Sequence, residues 1–554
     1  MFSDGGSEIS GPFNFRRAFP PPSNIHYSIT LRIPGVTMVT QLESGRRSSS
    51  GLQQSGNEQN LSPLTPNRNV IRVRPPYRQR GIPVQFKLHC RLCSWALLFC
   101  VAAAIGVTAQ TYTVIATLTG GNAYPTGNLI QGVNGNLYGT SYGNAASNEY
   151  GTVFEVSTSG TVSTLYTFCS KASCADGSFP AAGLILANDQ NFYGTTTSGG
   201  AYGEGTVFKL TPSGTLTTLY SFCQDQTPCA DGANPYGGLV QGTSGLLYGT
   251  TALGGEHALG SVFSIGTNGE MFTTLYSFCD GRCSIFGLND GSAPESALVQ
   301  DSNGNFYGTT SFGTIFEITP QGTLTTLYEF CSLPSCEDGN APWGNPALSS
   351  DGILYGAATK GGVVGGGVVW SLQISTNIFI DFNDFGGSGG AEPNGVVVGS
   401  NGNVYGTSLG AIGRSGVVYP ATIYEISPTA FTVLYTFCQT NGCPDGGPPL
   451  GELVEATNGV FYGASTGTVF SLSDGLAPFV MSVPSFGKPG NKVRILGTNL
   501  KGSTTVSFNG KAATFSVNSS SEITAEVPTG AKTGQIQVQT PGGKLKSNVV
   551  FTIL

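Results

Sequence analysis

Histidine is almost missing from this chain: 554 residues hold three, and only His257 lies beyond residue 110. A Ser-His-Asp triad or a multi-histidine metal site would have to be built around that one side chain. Its setting, Gly254-Gly-Glu-His-Ala-Leu-Gly260, reads as a turn between strands, where a surface role is the simpler reading. Basic residues are equally scarce in the long middle segment. Residues 110–475 carry 5 basic against 26 acidic side chains, a net charge of −21. Phosphate contacts need Lys and Arg, so this segment is excluded as a general nucleic-acid binder. No stretch shows a helical period, and the glycine-rich stretches lack the lysine of a phosphate-binding loop. No apolar anchor closes the C-terminus, and the apolar run Trp95–Val107 is too short for a membrane span.

What the chain has in abundance is a repeated step. Tyr-Gly followed by Thr or Ala recurs at Tyr138, Tyr193, Tyr248, Tyr307, Tyr355, Tyr405 and Tyr462, about fifty residues apart. One unit spans Gly183 to Pro235. It contains Gly-Leu-Ile-Leu (183–186), Phe-Tyr-Gly-Thr-Thr (192–196), Gly-Thr-Val-Phe-Lys-Leu (205–210) and Thr-Leu-Thr-Thr-Leu-Tyr-Ser-Phe (215–222). Four short runs rich in Val, Leu, Thr, Tyr and Phe, divided by Gly, Asn, Asp and Pro, predict four antiparallel strands per unit. Asn-Gly or Asp-Gly steps before the Tyr-Gly step (134–135, 303–304, 351–352, 401–402, 458–459) predict tight hairpins whose residues accept positive φ.

Seven such units predict an all-β, seven-bladed β-propeller over residues 110–475. The fourth strand is expected to end at Phe168, Phe222, Phe278, Phe330, Phe382 and Phe437 in the first six units, and is missing after Phe470. A lone copy, Thr113–Leu118, stands ahead of the first unit, so it is expected to complete the seventh blade and close the ring. The order Gly-Leu run, Leu-Tyr-Gly-Thr-Thr, Gly-Gly, Gly-Thr-Val-Phe, Thr-Leu-Tyr-x-Phe resembles the GloVer tandem repeat of exported bacterial proteins, over about residues 111–472. That resemblance implies export and variable C-terminal attachments, and no known activity.

Residues 476–554 differ in kind, with 8 basic and 2 acidic side chains. Their series Pro478–Pro484, Gly487–Gly490, Val493–Leu500, Val506–Gly510, Ile523–Pro528 and Thr540–Gly543 is similar to an IPT/TIG domain. The resemblance implies a small immunoglobulin-like β-sandwich, as the alternating strands also do. Its positive charges read as a solvated face, or as a contact to an anionic envelope polymer or to the acidic repeat domain. At the other end, residues 1–83 are rich in Ser, Pro, Gly, Asn and Arg and read as disordered, upstream of a translation start near Val84. Lys87 and Arg91 before Trp95–Val107, then Val107-Thr108-Ala109, read as a secretory signal over 84–109.

Cysteine usage agrees with export. Ten cysteines form five close pairs: Cys169/Cys174, Cys223/Cys229, Cys279/Cys283, Cys331/Cys336 and Cys438/Cys443, each just after a fourth strand. Even numbers at repeated spacing predict local disulfides. An Asp-Gly step follows each pair, at Asp176, Asp231, Asp290, Asp338 and Asp445. These carboxylates either cap their own turns or form a ring of Ca²⁺ ligands; no other cofactor is expected. Aromatic residues that break the repeat, Tyr124, Phe179, Tyr236 and Trp343, sit in loops leading into successive units and are the candidate binding residues. The chain reads as a non-catalytic binding protein, secreted or at the cell surface, with a polysaccharide or envelope partner. The alternatives are a carbohydrate-active lyase or glycosidase, which needs paired carboxylates, and a purely structural surface protein.

Overall fold

In the computed structural model, the residues described are 28–33 and 36–41 (backbone only), 110–224, 229–279, 290–412 and 418–554. The expected signal segment 84–109 and Cys283 lie outside them. The chain divides into two compact units, residues 1–68 and 69–554. In the first, Ser28–Ile33 pairs antiparallel with Val36–Gln41.

The second unit is all-β, and among the described residues its repeat region holds seven four-stranded antiparallel sheets and one two-stranded hairpin, Ala411–Ile412 with Val418–Tyr419. Sheet two is representative: Ile185–Leu186, Phe192–Thr196, Thr206–Leu210 and Leu216–Ser221, in that order. Sheet seven is assembled from both ends of the region. Thr111–Thr117 pairs with Thr468–Ser473 and supplies its fourth strand, as the sequence offset implies.

The Tyr-Gly step has a packing reason that recurs in every sheet. Its glycine lies directly across the ladder from the aromatic residue of the third strand, as Gly194 does from Phe208 and Gly356 from Trp370. A Cβ on Gly194 would meet Phe208 Cζ at 2.7 Å and Leu184 Cδ2 at 3.1 Å, so the ring lies flat over bare backbone. Beside each such ring the third and fourth strands slip register by one residue, between Val207 and Phe208 in sheet two. A bulge there adds twist to the outer half of the sheet.

The hydrophobic core lies between sheets. Seven clusters each combine residues of two consecutive sheets, and one joins the last to the first: Ala116, Leu118, Ala464 and Val469 pack with Leu129, Leu137, Phe154 and Val156. The ring closing a fourth strand packs edge-on against the third-strand aromatic of the next sheet, for example Phe222 on Phe263 at 5.2 Å. Sheet five departs from the sequence reading. Its fourth strand runs through Asp384, and the ring that reaches sheet six is Phe385, 4.9 Å from Tyr424, rather than Phe382, which turns back onto Tyr355.

Residues 478–554 form two four-stranded sheets around one core that includes Val480, Ile495, Val506, Phe508, Ile523, Val538 and Phe551. Arg494 and Glu522 form an ion pair across adjacent strands. Among the described residues no helix is long and apolar enough to cross a membrane.

Candidate functional site

Antiparallel order sends the turns between second and third strands, and the linkers from one sheet to the next, to the same end of the repeat domain. The turns between first and second, and between third and fourth, go to the opposite end. The C-terminal domain bonds to this opposite end: Ser521 Oγ donates to Val133 O at 2.9 Å, and Phe479 N to Thr457 O at 3.0 Å.

The linker end carries the exposed apolar side chains. Among the described residues of the repeat domain, every large exposed hydrophobic residue except Met271 lies in a linker or a second-to-third-strand turn. Tyr124, Tyr236 and Trp343 are there, with Tyr202 and Phe312. Phe179, the fourth candidate from the sequence, is placed differently. It is half-buried with φ +58°, its ring packed between Tyr142 (5.1 Å) and Tyr150 (5.6 Å).

Tyr236 and Trp343 each follow the proline that leads into their sheet, Pro235 and Pro342. In the sheet between them the same position is Glu295, after Pro294. Burial pushes the Glu295 carboxyl above its usual range, and the Tyr236 hydroxyl likewise, with Tyr142 and Glu295 adding to the effect on Tyr236. The buried Ser311 hydroxyl lies beside Glu295 and partly offsets that rise. Sheets three, four and five thus present an aromatic, a carboxylate that holds its proton more tightly than usual, and a second aromatic. The sequence reading found the aromatics because they break the repeat. It missed Glu295, whose signal was the shared Pro-x position.

A second polar feature links neighbouring sheets. In five sheets the threonine of the Tyr-Gly-Thr step donates its hydroxyl to a carbonyl at the start of the next sheet, as Thr195 does to Gly237 at 3.1 Å, Thr250 to Ser296 at 3.0 Å, Thr309 to Pro342 at 3.1 Å and Thr407 to Gly451 at 3.2 Å. Thr140 makes the same bond to Ala182 at 2.6 Å. Sheets five and seven carry Ala357 and Ala464 instead and have no such latch. The junction from seven to one is held by Glu452 and Asn128. Glu452 N donates to Asn128 Oδ1 at 2.7 Å, and Asn128 Nδ2 returns a bond to Glu452 Oε2 at 2.7 Å. The other carboxylate oxygen accepts Asn345 N of sheet five at 2.7 Å, reaching past Gly395 of sheet six, where any Cβ would collide with it. One residue therefore ties sheets one, five and seven together.

Desolvation pushes the Glu452 carboxyl up to about 7, against the lowering effect of the Asn345 and Asn128 donors. A carboxyl raised from about 4.5 favours the folded state while protonated, so its contribution is complete below about pH 4.5 and is lost as pH rises through about 7. The slope attributable to this group is expected to be on the order of 1–3 kcal/mol between pH 5 and 8. Urea melts across that range should show a difference between wild type and Glu452→Gln that widens with pH. Parallel curves would contradict the assignment.

The five aspartates of the Asp-Gly steps each serve their own cysteine loop. Asp338 accepts Tyr328 Oη (2.8 Å), Ser332 N (3.0 Å), Ser332 Oγ (2.7 Å) and Leu333 N (3.3 Å). Asp176 has the same arrangement, and Asp231, Asp290 and Asp445 each accept a fourth-strand tyrosine and a cysteine N–H. Among the described residues no three His, Cys, Asp or Glu side chains gather as a metal cage. Disulfides join Cys169–Cys174, Cys223–Cys229, Cys331–Cys336 and Cys438–Cys443, and Cys279 is disulfide-bonded as well. Removing the Asp338 acceptor strands the buried Tyr328 hydroxyl and frees the part-buried Ser332 and Leu333 donors, so Asp338→Ala should cost about 1–3 kcal/mol. Thermal melts would show it as a fall in Tm of a few degrees, with the wild-type Tm equal in calcium and in chelator. A calcium-dependent Tm would favour the ligand reading instead.

Two solved structures superpose in part. One is a fungal alcohol oxidase of the AA5 family in complex with copper, with 11% identity, 80% of this chain and 100% of that one covered, and a TM-score of 0.48. The other is PorZ, a surface component of the type-IX secretion system of Porphyromonas gingivalis, with 14% identity, 79% and 60% covered, and a TM-score of 0.43. No curated protein matches the chain. Residues 478–553 match the IPT/TIG domain, and residues 102–311 and 282–475 match the Gloeobacter/Verrucomicrobia repeat. The chain therefore belongs to the Gloeobacter/Verrucomicrobia repeat family, with an IPT/TIG domain at its C-terminal end.

Proposed function

We propose that the seven sheets are the blades of a closed seven-bladed β-propeller followed by an immunoglobulin-like sandwich, and that this exported protein binds a polysaccharide without turning it over. The observation that carries the reading is the segregation of exposed aromatics to the linker end, with Tyr236 and Trp343 on either side of Glu295. Aromatic faces pack on the C–H faces of sugar rings, while a hydroxyl or carboxyl between them orients the ring hydroxyls. The C-terminal domain makes its bonds to the repeat domain at the other end. Four disulfide-closed loops and a disulfide-bonded Cys279 support assembly in an oxidising compartment, at the cell surface or outside the cell.

The full chain, produced in an oxidising compartment, should be retained on at least one insoluble or soluble polysaccharide without releasing reducing ends. Release of reducing ends would replace the binding reading with a lyase or glycosidase. Absence of both would leave a structural spacer at the surface.

A further inference from the structure

Between the repeat domain and the C-terminal domain lies a cleft of about 300 Å³, at the end opposite the aromatic face. That volume is at the lower limit of small-molecule sites. One wall comes from turns of sheets one and seven, including Asn134, Thr158, Asn458 and Tyr462; the other from Asn499 and Ser520 of the C-terminal domain. No Asp, Glu, Lys, Arg or His lines it. Part of the lining is already committed: Asn458 Nδ2 donates to Tyr462 Oη at 2.9 Å, which holds that ring in place. Part is not. The side chains of Thr158, Asn499 and Ser520 have no hydrogen-bond partner among the described residues.

We propose that this cleft is a second binding site, for a neutral oligosaccharide. Amides and hydroxyls from two walls match the alternating donors and acceptors of sugar hydroxyls. The missing charge disfavours uronate, phosphate and ammonium ligands, which would be desolvated without a counter-charge. The mixed lining, with a single half-buried tyrosine ring, is too polar for an acyl chain. Because the two walls belong to different domains, an occupant would also bridge them and stiffen their junction, which a few bonds such as Ser521 to Val133 otherwise hold.

The test is calorimetric titration of the full chain with maltohexaose, cellohexaose and chitohexaose, with trigalacturonate as the charged control. Ser520→Trp and Thr158→Trp fill the cleft from opposite walls at exposed positions, so each should keep the wild-type Tm. At least one neutral hexasaccharide should bind, and both variants should weaken it tenfold or more while Trp343→Ala does not. Binding that survives both tryptophans, or preference for trigalacturonate, would overturn the proposal. So would no binding of any hexasaccharide. Loss of binding in Trp343→Ala alone would overturn the cleft while supporting the aromatic face, so the two readings fail separately.

Discussion

A chain that starts at residue 119 will not fold, whereas one that starts at residue 110 will. The eight residues Thr111–Leu118 complete the last sheet from the far end of the sequence. Tyr112 stacks on Tyr435 at a centroid distance of 3.7 Å, and its hydroxyl donates to Asp445 O at 2.9 Å. Ala116 and Leu118 are buried between sheets seven and one, and Leu118 N donates to Gly467 O. Losing a buried leucine costs about 1.5–3 kcal/mol, the stacked pair about 0.5–1.5 kcal/mol, and a strand's worth of ladder bonds adds to both. The sum is on the order of 5 kcal/mol or more, comparable with the whole stability of an ordinary domain. The bare edge of Thr468–Ser473 would then invite aggregation. Soluble yield and far-ultraviolet circular dichroism of the two truncations would show the difference. A synthetic peptide of residues 110–119, added during refolding, should restore soluble protein. An open stack of sheets would tolerate the truncation with only local fraying, so native-like melts from residue 119 onward would contradict closure.

Gly194→Ala should destabilise the repeat domain by about 3 kcal/mol, at the upper end of what overpacking a core usually costs. The new methyl would press on Phe208 at 2.7 Å, and that ring is wholly buried, wedged at 5.1 Å against Phe168 of the preceding sheet. Relief is therefore blocked on both sides. Gly356→Ala should cost more, because the indole of Trp370 lies closer still over that glycine and is also fully buried. The coupling can be measured directly. Phe208→Leu alone removes ring contacts and costs stability, but in the double variant the shorter side chain makes room for the methyl. A double-mutant cycle should give a favourable interaction of about 1 kcal/mol or more. Additive costs would mean that the glycine answers to something other than the ring above it.

The sheet architecture was legible from the sequence because each strand carries its own signal, and the displaced Thr113–Leu118 pointed to completion of the seventh sheet. The turns were read less accurately. Of each Asn-Gly pair only the glycine takes positive φ, as Gly135 does at +84°, while Asn134 Oδ1 instead accepts Asn136 N at 3.1 Å. Sheet five was misread at its outer strand because Phe379, Phe382 and Phe385 offer three rings at a spacing of three. The ladder, with Asp384 opposite Val368 and Phe385 N bonded to Gly367 O, makes Phe385 the ring that reaches sheet six. The polar tie among sheets one, five and seven could not be read at all. Glu452, Asn128 and Asn345 are far apart in the chain, and their meeting depends on the small residues, among them Gly395, that leave room between them. Tyr236 and Trp343 were visible as departures from the repeat, whereas Glu295 drew no notice in a segment already rich in acid.

The central claim is that ligand meets the protein at the face of Tyr236, Glu295 and Trp343. It is tested most directly by a binding isotherm on whichever polysaccharide retains the wild-type chain. Wild type is compared there with Tyr236→Ala, Trp343→Ala and, as a control away from that face, Val549→Ala, all at matched Tm. The account predicts that each aromatic truncation weakens binding about tenfold or more while Val549→Ala leaves it unchanged. Equal affinity in all four proteins would contradict it.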